Sequence, residues 1–290
     1  MQDRYTADVG DFGKYGLLRA ITGMHPAGLP RLSLGVVWYL TDTVMEQGDP
    51  AGDGKHTVYA TDPRQARRFR PCDPDLFEAM GAVIEDGDRR VAATRERDVL
   101  GPNATYYEDR IHTPRRDQPR EERLAARAAW IDGAVRAVSG SDVVFLDPDN
   151  GIEAASVRPQ HKKGPKYAYL EELTALAGGE RSLVVYHHLS RNGSAAEQVQ
   201  RTGARIRAHL DASYALDAVT YHRRTARTFF IATPPRSSLR GWTRFSRGRG
   251  PRTPRGTRFR RSGSDTPTSK QTISPRNRRA QQHGAAGHDR

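Results

Sequence analysis

The sequence is nearly without cysteine: Cys72 is the single one in 290 residues. That excludes an internal disulfide and any zinc site built on a cysteine cluster. It fits a reducing compartment, and the cytoplasm is the expected location. Long apolar runs are missing too. No stretch of 18 apolar residues occurs, so no membrane-spanning helix is expected. The opening Met1-Gln2-Asp3-Arg4-Tyr5 has no apolar core of a secretory signal. Hydrophobic residues make up only 36% of the chain, and the mean hydropathy is −0.76. The deficit gathers at one end.

Charge is divided in the same way. The chain carries 47 Lys+Arg and 34 Asp+Glu, a net of +13. Residues 236–290 hold 15 of the bases and 2 of the acids, which leaves 32 of each in residues 1–235. The basic character belongs to the last 55 residues, and net charge therefore does not make the preceding body a nucleic-acid binder. Residues 236–290 are rich in Arg, Gly, Ser and Pro without apolar periodicity. Such a segment cannot bury enough surface to offset chain entropy, so a disordered tail is expected. It suits an arm for nucleic acid, an inert extension, or the product of a shifted reading frame.

Residues 1–235 read as one α/β domain. Gly13 to Met24 is a predicted helix. Leu32 to Leu40, Asp142 to Asp147 and Ser182 to His188 are apolar runs suited to strands buried on both faces. Asp73 and Pro74 have the form of an N-cap and first helical position. Thr105–Tyr107 suits a short strand. Helices are predicted over Glu121 to Val138, with Leu124, Ala128, Ile131, Val135 and Val138 on one face, over Tyr167 to Ala177, and over Ala195 to Leu210. The alternation implies βαβ units and a parallel sheet. Ala215 to His222 and Thr228 to Ala232 then read as an antiparallel hairpin. The expected fold is a three-layer, Rossmann-like, mostly parallel sheet closed by that hairpin, a layout found in Rossmann-like methyltransferases.

In an open parallel sheet, ligands bind beyond the carboxyl ends of the strands. Three strands end in polar groups: Leu40-Thr41-Asp42, Leu146-Asp147-Pro148-Asp149-Asn150-Gly151, and Tyr186-His187-His188 with Arg191 beyond. Asp42, Asp147, Asp149, Asn150, His187, His188 and Arg191 are thereby expected along one rim. The Asp147–Gly151 segment has several readings. It is a turn by composition. With Glu153, its two carboxylates Asp147 and Asp149 suit a divalent cation, Mg²⁺ or Mn²⁺, and the form resembles the first motif of haloacid-dehalogenase-type phosphatases. Asp147-Pro148 also matches the first half of the Asp-Pro-Pro-aromatic loop by which adenine-N6 methyltransferases contact an amino group. Adjacent strand residues point to opposite faces, so at most one of His187 and His188 is expected to face a site, where it is a general base, or else a structural imidazole. The glycine-rich Asp8 to Arg19 segment offers a helix N-terminus to a ligand, or tight packing. His161 to Tyr167 is a basic loop with one aromatic, a phosphate contact or a solvated turn.

These motifs together resemble a family of mostly uncharacterised bacterial and phage-borne proteins. The shared features are Gly10 to Arg19, Val36 to Leu40, Asp53 to His56, Arg70 with Cys72-Asp73, Phe145 to Glu153, Lys166-Tyr167 with Glu172-Leu173, and Tyr186 with His188 and Arg191. The order is similar, more distantly, to the J-type adenine-N6 methyltransferases of large-subunit ribosomal RNA. That resemblance implies S-adenosylmethionine as cofactor, bordered by Gly10, Asp11, Lys14 and Tyr15, with Asp42 or Asp53 on its ribose. It implies a nucleic-acid substrate, with Asp147, Pro148, Asp149 and Asn150 at the target, His188 as proton acceptor, and Lys166, Tyr186 and Arg191 as substrate contacts. The second expectation is a metal-dependent hydrolase or nuclease on Asp147, Asp149 and Glu153, with His188 as base and Arg191 on phosphate. The third is a non-catalytic or defence-associated module that kept the fold.

Overall fold

The computed structural model describes residues 3, 6–25, 31–41, 56–191, 193–223, 225–237 and 239, and the backbone of 258–262. In chain order the elements are α1 (Val9–Ile21), β1 (Leu34–Val37), α2 (Val58–Thr61), α3 (Pro63–Phe69), α4 (Pro74–Glu85), α5 (Ala92–Glu96) and β2 (Ala104–Tyr107). There follow α6 (Arg120–Ala137), β3 (Val143–Leu146), β4 (Gly151–Ile152), β5 (Tyr167–Ala168), α7 (Leu170–Ala177), β6 (Ser182–His188), α8 (Ala195–His209), β7 (Ala215–Arg223), β8 (Thr225–Thr233) and β9 (Arg258–Ser262).

The main sheet runs β2-β1-β3-β6-β8-β7-β9. β2, β1, β3 and β6 are parallel, with Val36 opposite Tyr106 and Phe145, and Phe145 opposite Val184. The last two helix-free segments form the expected hairpin, and its second strand is the one that meets β6. β8 pairs antiparallel with both β6 and β7, so β7 runs in the direction of the parallel strands. Alternate strand residues feed two cores. Val36, Trp38, Phe145, Val184, Tyr221 and Phe229 pack under α1–α5. Val37, Val144, Leu146, Val185 and Phe230 pack under α6–α8. Each such side chain contributes about 1.5–3 kcal/mol on leaving water. The three-layer α/β expectation holds.

Several boundaries differ from the sequence reading. α1 starts at Val9, not Gly13, because the Asp8 carboxylate accepts the N–H groups of Gly10 and Asp11 and caps the helix there. Its buried residues cover nearly its whole circumference, so it shows no amphipathic stripe. β1 stops at Val37 rather than Leu40, since Tyr39 takes φ +47. In α6 the buried positions are Arg127, Trp130 and Ala134, and Ala128 is exposed. The stripe is rotated from the expected one because Arg127 finds an ionic partner inside. Tyr167 and Ala168 are strand, and α7 begins after the Tyr169 cap. Asp73 caps α4 as expected, accepting from the Leu76 N–H.

Of the expected tail, 238, 240–257 and 263–290 lie outside the described residues. The backbone of Arg258–Ser262 pairs antiparallel with β7, with Phe259 opposite Tyr221. β7 otherwise offers an open row of N–H and C=O groups, which a further strand satisfies. Among the described residues no helix is long and apolar enough to cross a membrane.

Candidate functional site

Strands β1, β3 and β6 end side by side, and α1 lies across their carboxyl ends on one face. A buried helix carrying acids and a lysine must pair them, because an unpaired charge in the interior is costly. Lys14 Nζ lies 2.7 Å from Asp147 Oδ2 and 2.7 Å from Asp11 Oδ1. All three side chains are at most 6% exposed. Asp11 also accepts the Ala7 N–H at 3.1 Å. Burial pushes the Asp11 carboxyl up from 3.8 to about 7, opposed by Lys14 and reinforced by Asp8 and Asp147. Burial alone would lower the Lys14 ammonium, but Asp11 and Asp147 overcome it and hold its pKa above the ordinary value. Lys14 Nζ also sits 5.3 Å from the Tyr15 ring centre and 5.7 Å from that of Trp38.

The hairpin closes this cluster from the other side. Arg227, at the start of β8, faces Tyr186 of β6, whose phenol is pushed up to about 12 by burial. Arg227 also lies over Gly10, where a Cβ would come within 2.8 Å of its guanidinium carbon. At Gly13 a Cβ would come within 2.8 Å of the Tyr221 ring. Both glycines therefore serve close packing of α1 on β7 and β8. Buried polar atoms gather in the same layer. The Tyr15 hydroxyl, Trp38 Nε1 and Tyr106 hydroxyl have no hydrogen-bond partner among the described residues. Their rings touch: Tyr15 and Trp38 centres are 6.2 Å apart, as are Trp38 and Tyr106. The Thr41 hydroxyl, four residues beyond β1, is likewise buried without a partner among the described residues.

The Asp147–Gly151 turn divides its groups. Asp147 and Pro148 are buried, and Asp149 and Asn150 are half-buried. Asp149 Oδ2 lies 3.1 Å from Lys166 Nζ. Glu153 pairs with Arg205 at 2.7 Å. The three carboxylates of the metal reading thus face three different cations, and among the described residues no group of three His, Cys, Asp or Glu converges on a metal position. His187 is a structural imidazole: its Nδ1 accepts the Ile152 N–H at 3.1 Å, and burial lowers its pKa to about 4. His188 is exposed on the α1 side, and Arg191 is exposed beyond it. Asp42 and Asp53 lie outside the described residues.

Gly151 joins turn to ladder with φ +101. A Cβ there would lie 2.5 Å from His187 Nδ1 and 2.6 Å from its Cα. The second neighbour is backbone and cannot swing aside. Gly151→Ala is expected to destabilise the fold by about 2–4 kcal/mol, combining backbone strain with overpacking. A urea melt measures it, and a loss below about 0.5 kcal/mol contradicts this packing.

On the opposite face a second buried ion pair holds the end of β1. Arg127 Nε and Nη2 reach the two Glu172 oxygens at 2.6 and 2.9 Å, and Nη2 also donates to the Tyr167 carbonyl at 2.8 Å. Tyr39 donates its hydroxyl to Glu172 at 3.1 Å. The guanidinium lies 5.3–5.4 Å from the ring centres of Tyr39, Trp130 and Tyr169. Sequence reasoning missed Arg127, Glu172 as its partner, and Arg227. For Arg227 a signal existed: period-2 alternation along β8 sets it on the face of Phe229 and Ile231.

No protein-family model matches the chain. No curated protein matches it either. Among solved structures it is similar to the crystal structure of a Legionella pneumophila protein described under family model DUF519. That match has 13% identity and a TM-score of 0.44, and covers 90% of this chain and 97% of that one. A likeness at this level carries no statement about chemistry.

Proposed function

We propose that the protein is a methyltransferase-like enzyme that uses S-adenosylmethionine to modify an amino group of a nucleic-acid base. The observation that carries this reading is the buried Asp11–Lys14–Asp147 cluster at the carboxyl end of β3, roofed by rings with unpartnered polar atoms. The sheet supports it as well, since a parallel set closed by an antiparallel hairpin is the layout such enzymes use.

The residues present fit a polar, aromatic-bearing cofactor. The Tyr15 and Thr41 hydroxyls and Trp38 Nε1 are buried groups that gain a partner when one binds. Gly10, Asp11, Lys14 and Tyr15 would border it, with Asp42 or Asp53 at its ribose. The cofactor, when bound, supplies an electrophilic methyl group. The chain's own residues do the rest. Lys14 fixes the Asp147 carboxylate in position, so that it accepts a hydrogen of the target amino group. Asn150 accepts the other through its side-chain oxygen, and Pro148 stiffens the turn between them. Tyr186, Lys166 and Arg191 contact the substrate. His188, at the exposed end of β6, takes the released proton.

Calorimetry of the full chain in EDTA tests this. Saturable S-adenosylmethionine binding, weakened at least tenfold in Tyr15→Ala, is the expected result. No binding in EDTA, together with Mg²⁺ or Mn²⁺ binding that disappears in Asp149→Ala, sinks the proposal in favour of a metal-dependent hydrolase. Binding of neither leaves a non-catalytic module.

A further inference from the structure

We infer that residues 154–166 form a built phosphate-binding surface that grips the backbone of a nucleic acid beside the Asp147–Gly151 turn. This rests on the nucleic-acid reading above and adds to it the part of the chain that touches phosphate. The loop leaves the turn at β4 and returns at β5, which pair in parallel as Gly151 with Tyr167 and Ile152 with Ala168. Its far end is pinned to the turn itself. The Asn150 N–H donates to the Lys166 carbonyl at 2.9 Å, and Lys166 Nζ meets Asp149. A base presented at Asp147–Asn150 carries its flanking phosphates past this loop.

The loop is ordered by its own bonds. The Val157 N–H donates to the Ala154 carbonyl, the His161 N–H to that of Arg158, and the Gly164 N–H to that of His161, at 3.0, 3.0 and 2.7 Å. The Arg158 N–H donates to His161 Nδ1 at 3.1 Å, and Arg123 Nη1 to the Gln160 carbonyl at 3.0 Å. Gly164 is buried so closely that a Cβ would lie 2.3 Å from the Pro159 carbonyl oxygen. Such a loop pays its ordering entropy on folding rather than on binding.

Charge gives the ligand its chemistry. In a body with balanced charges, residues 154–166 contain Arg158, Lys162, Lys163 and Lys166 and no acid. The flanking acids are already engaged, Asp149 by Lys166 and Glu153 by Arg205. Arg158, Lys162 and Lys163 stand exposed. Three neighbouring cations repel one another, and a polyanion relieves that repulsion while releasing its counterions.

The test is fluorescence anisotropy of the full chain with a labelled single-stranded RNA and a DNA of the same sequence, between 50 and 200 mM salt. Lys162→Gln/Lys163→Gln is compared with Arg31→Gln/Arg136→Gln, an equal charge change at the amino ends of β1 and β3. Each neutralised contact should lower the slope of log affinity against log salt by about 0.7. The loop pair is therefore expected to lose about 1.4 in slope and on the order of tenfold in affinity at 50 mM salt, and the control pair to stay at the wild-type value. Equal losses in both pairs, or no loss in the loop pair, overturn the inference. If only the loop pair is unchanged and S-adenosylmethionine still binds, the loop assignment falls and the proposed function stands. If the wild type binds neither oligonucleotide, the nucleic-acid reading falls with it.

Discussion

Lys14→Met is expected to lower the unfolding free energy by about 3–5 kcal/mol, the usual consequence of removing one partner from a buried ion pair. In a domain of this size that is on the order of 10 °C in melting temperature. The substitution leaves Asp11 and Asp147 facing each other without their shared cation, and Asp11 responds by holding its proton. The pH dependence has a definite sign. A carboxyl whose folded pKa lies above its unfolded value stabilises fully below the unfolded value, and that contribution is lost as pH rises through the folded value. For Asp11 in the wild type the window runs from about 4 to about 7. Lys14 holds the Asp11 value down, so without it that value goes higher, and the deficit of the variant should shrink toward pH 5 and grow toward pH 8. Lys14→Met/Asp11→Asn should recover part of the loss. Melts of the three proteins at both pH values check this. A deficit under 1 kcal/mol, or one independent of pH, contradicts a dry, coupled cluster.

Arg127→Leu is the second large effect, again about 3–5 kcal/mol. Glu172 would keep its hydrogen bonds from the Tyr39 hydroxyl and the Tyr169 N–H but lose its cation, and three rings would lose the guanidinium between them. Arg127→Lys should rescue little, because an ammonium cannot make the two-pronged contact or stack flat against the rings. Tyr39→Phe should cost about 1.5–3 kcal/mol, the loss of one hydrogen bond to a charged group. Urea unfolding separates the three. Equal stability of Arg127→Lys and wild type would show that charge alone matters there. The pair matters to the candidate site because Tyr39, held at φ +47, sets how the chain leaves β1.

The strands β1, β3 and β6 were readable because each is a short apolar run with both faces covered, followed within a few residues by polar groups. That pattern also placed Asp147 at the carboxyl end of the sheet, beside the ends of β1 and β6. The partners of Asp147 were not readable. Lys14 and Asp147 are 133 positions apart, Arg127 and Glu172 are 45 apart, and nothing local marks either pair. α1 was misplaced for a related reason: a helix buried all round has no polar face, and its glycines at 10 and 13 mimic a loop. In α6, an arginine at a core position broke the apolar stripe that periodicity seeks. The His187–His188 pair resolved as strand geometry requires, one ring turned into the fold and one outward.

The place of β8 between β6 and β7 has a kinetic consequence. The chain emerges in the order β6, α8, β7, β8, yet β7 has no partner on β6. Until Thr225–Thr233 is made, the growing edge of the sheet at β6 stays open, and β7 has nothing to join. The hairpin is a local contact and forms quickly, whereas its docking onto β6 needs the whole segment. A chain halted after Arg223 would therefore expose the open edge of β6 and an unpaired β7 at once, and its fate in a cell would depend on how promptly synthesis delivers the next ten residues.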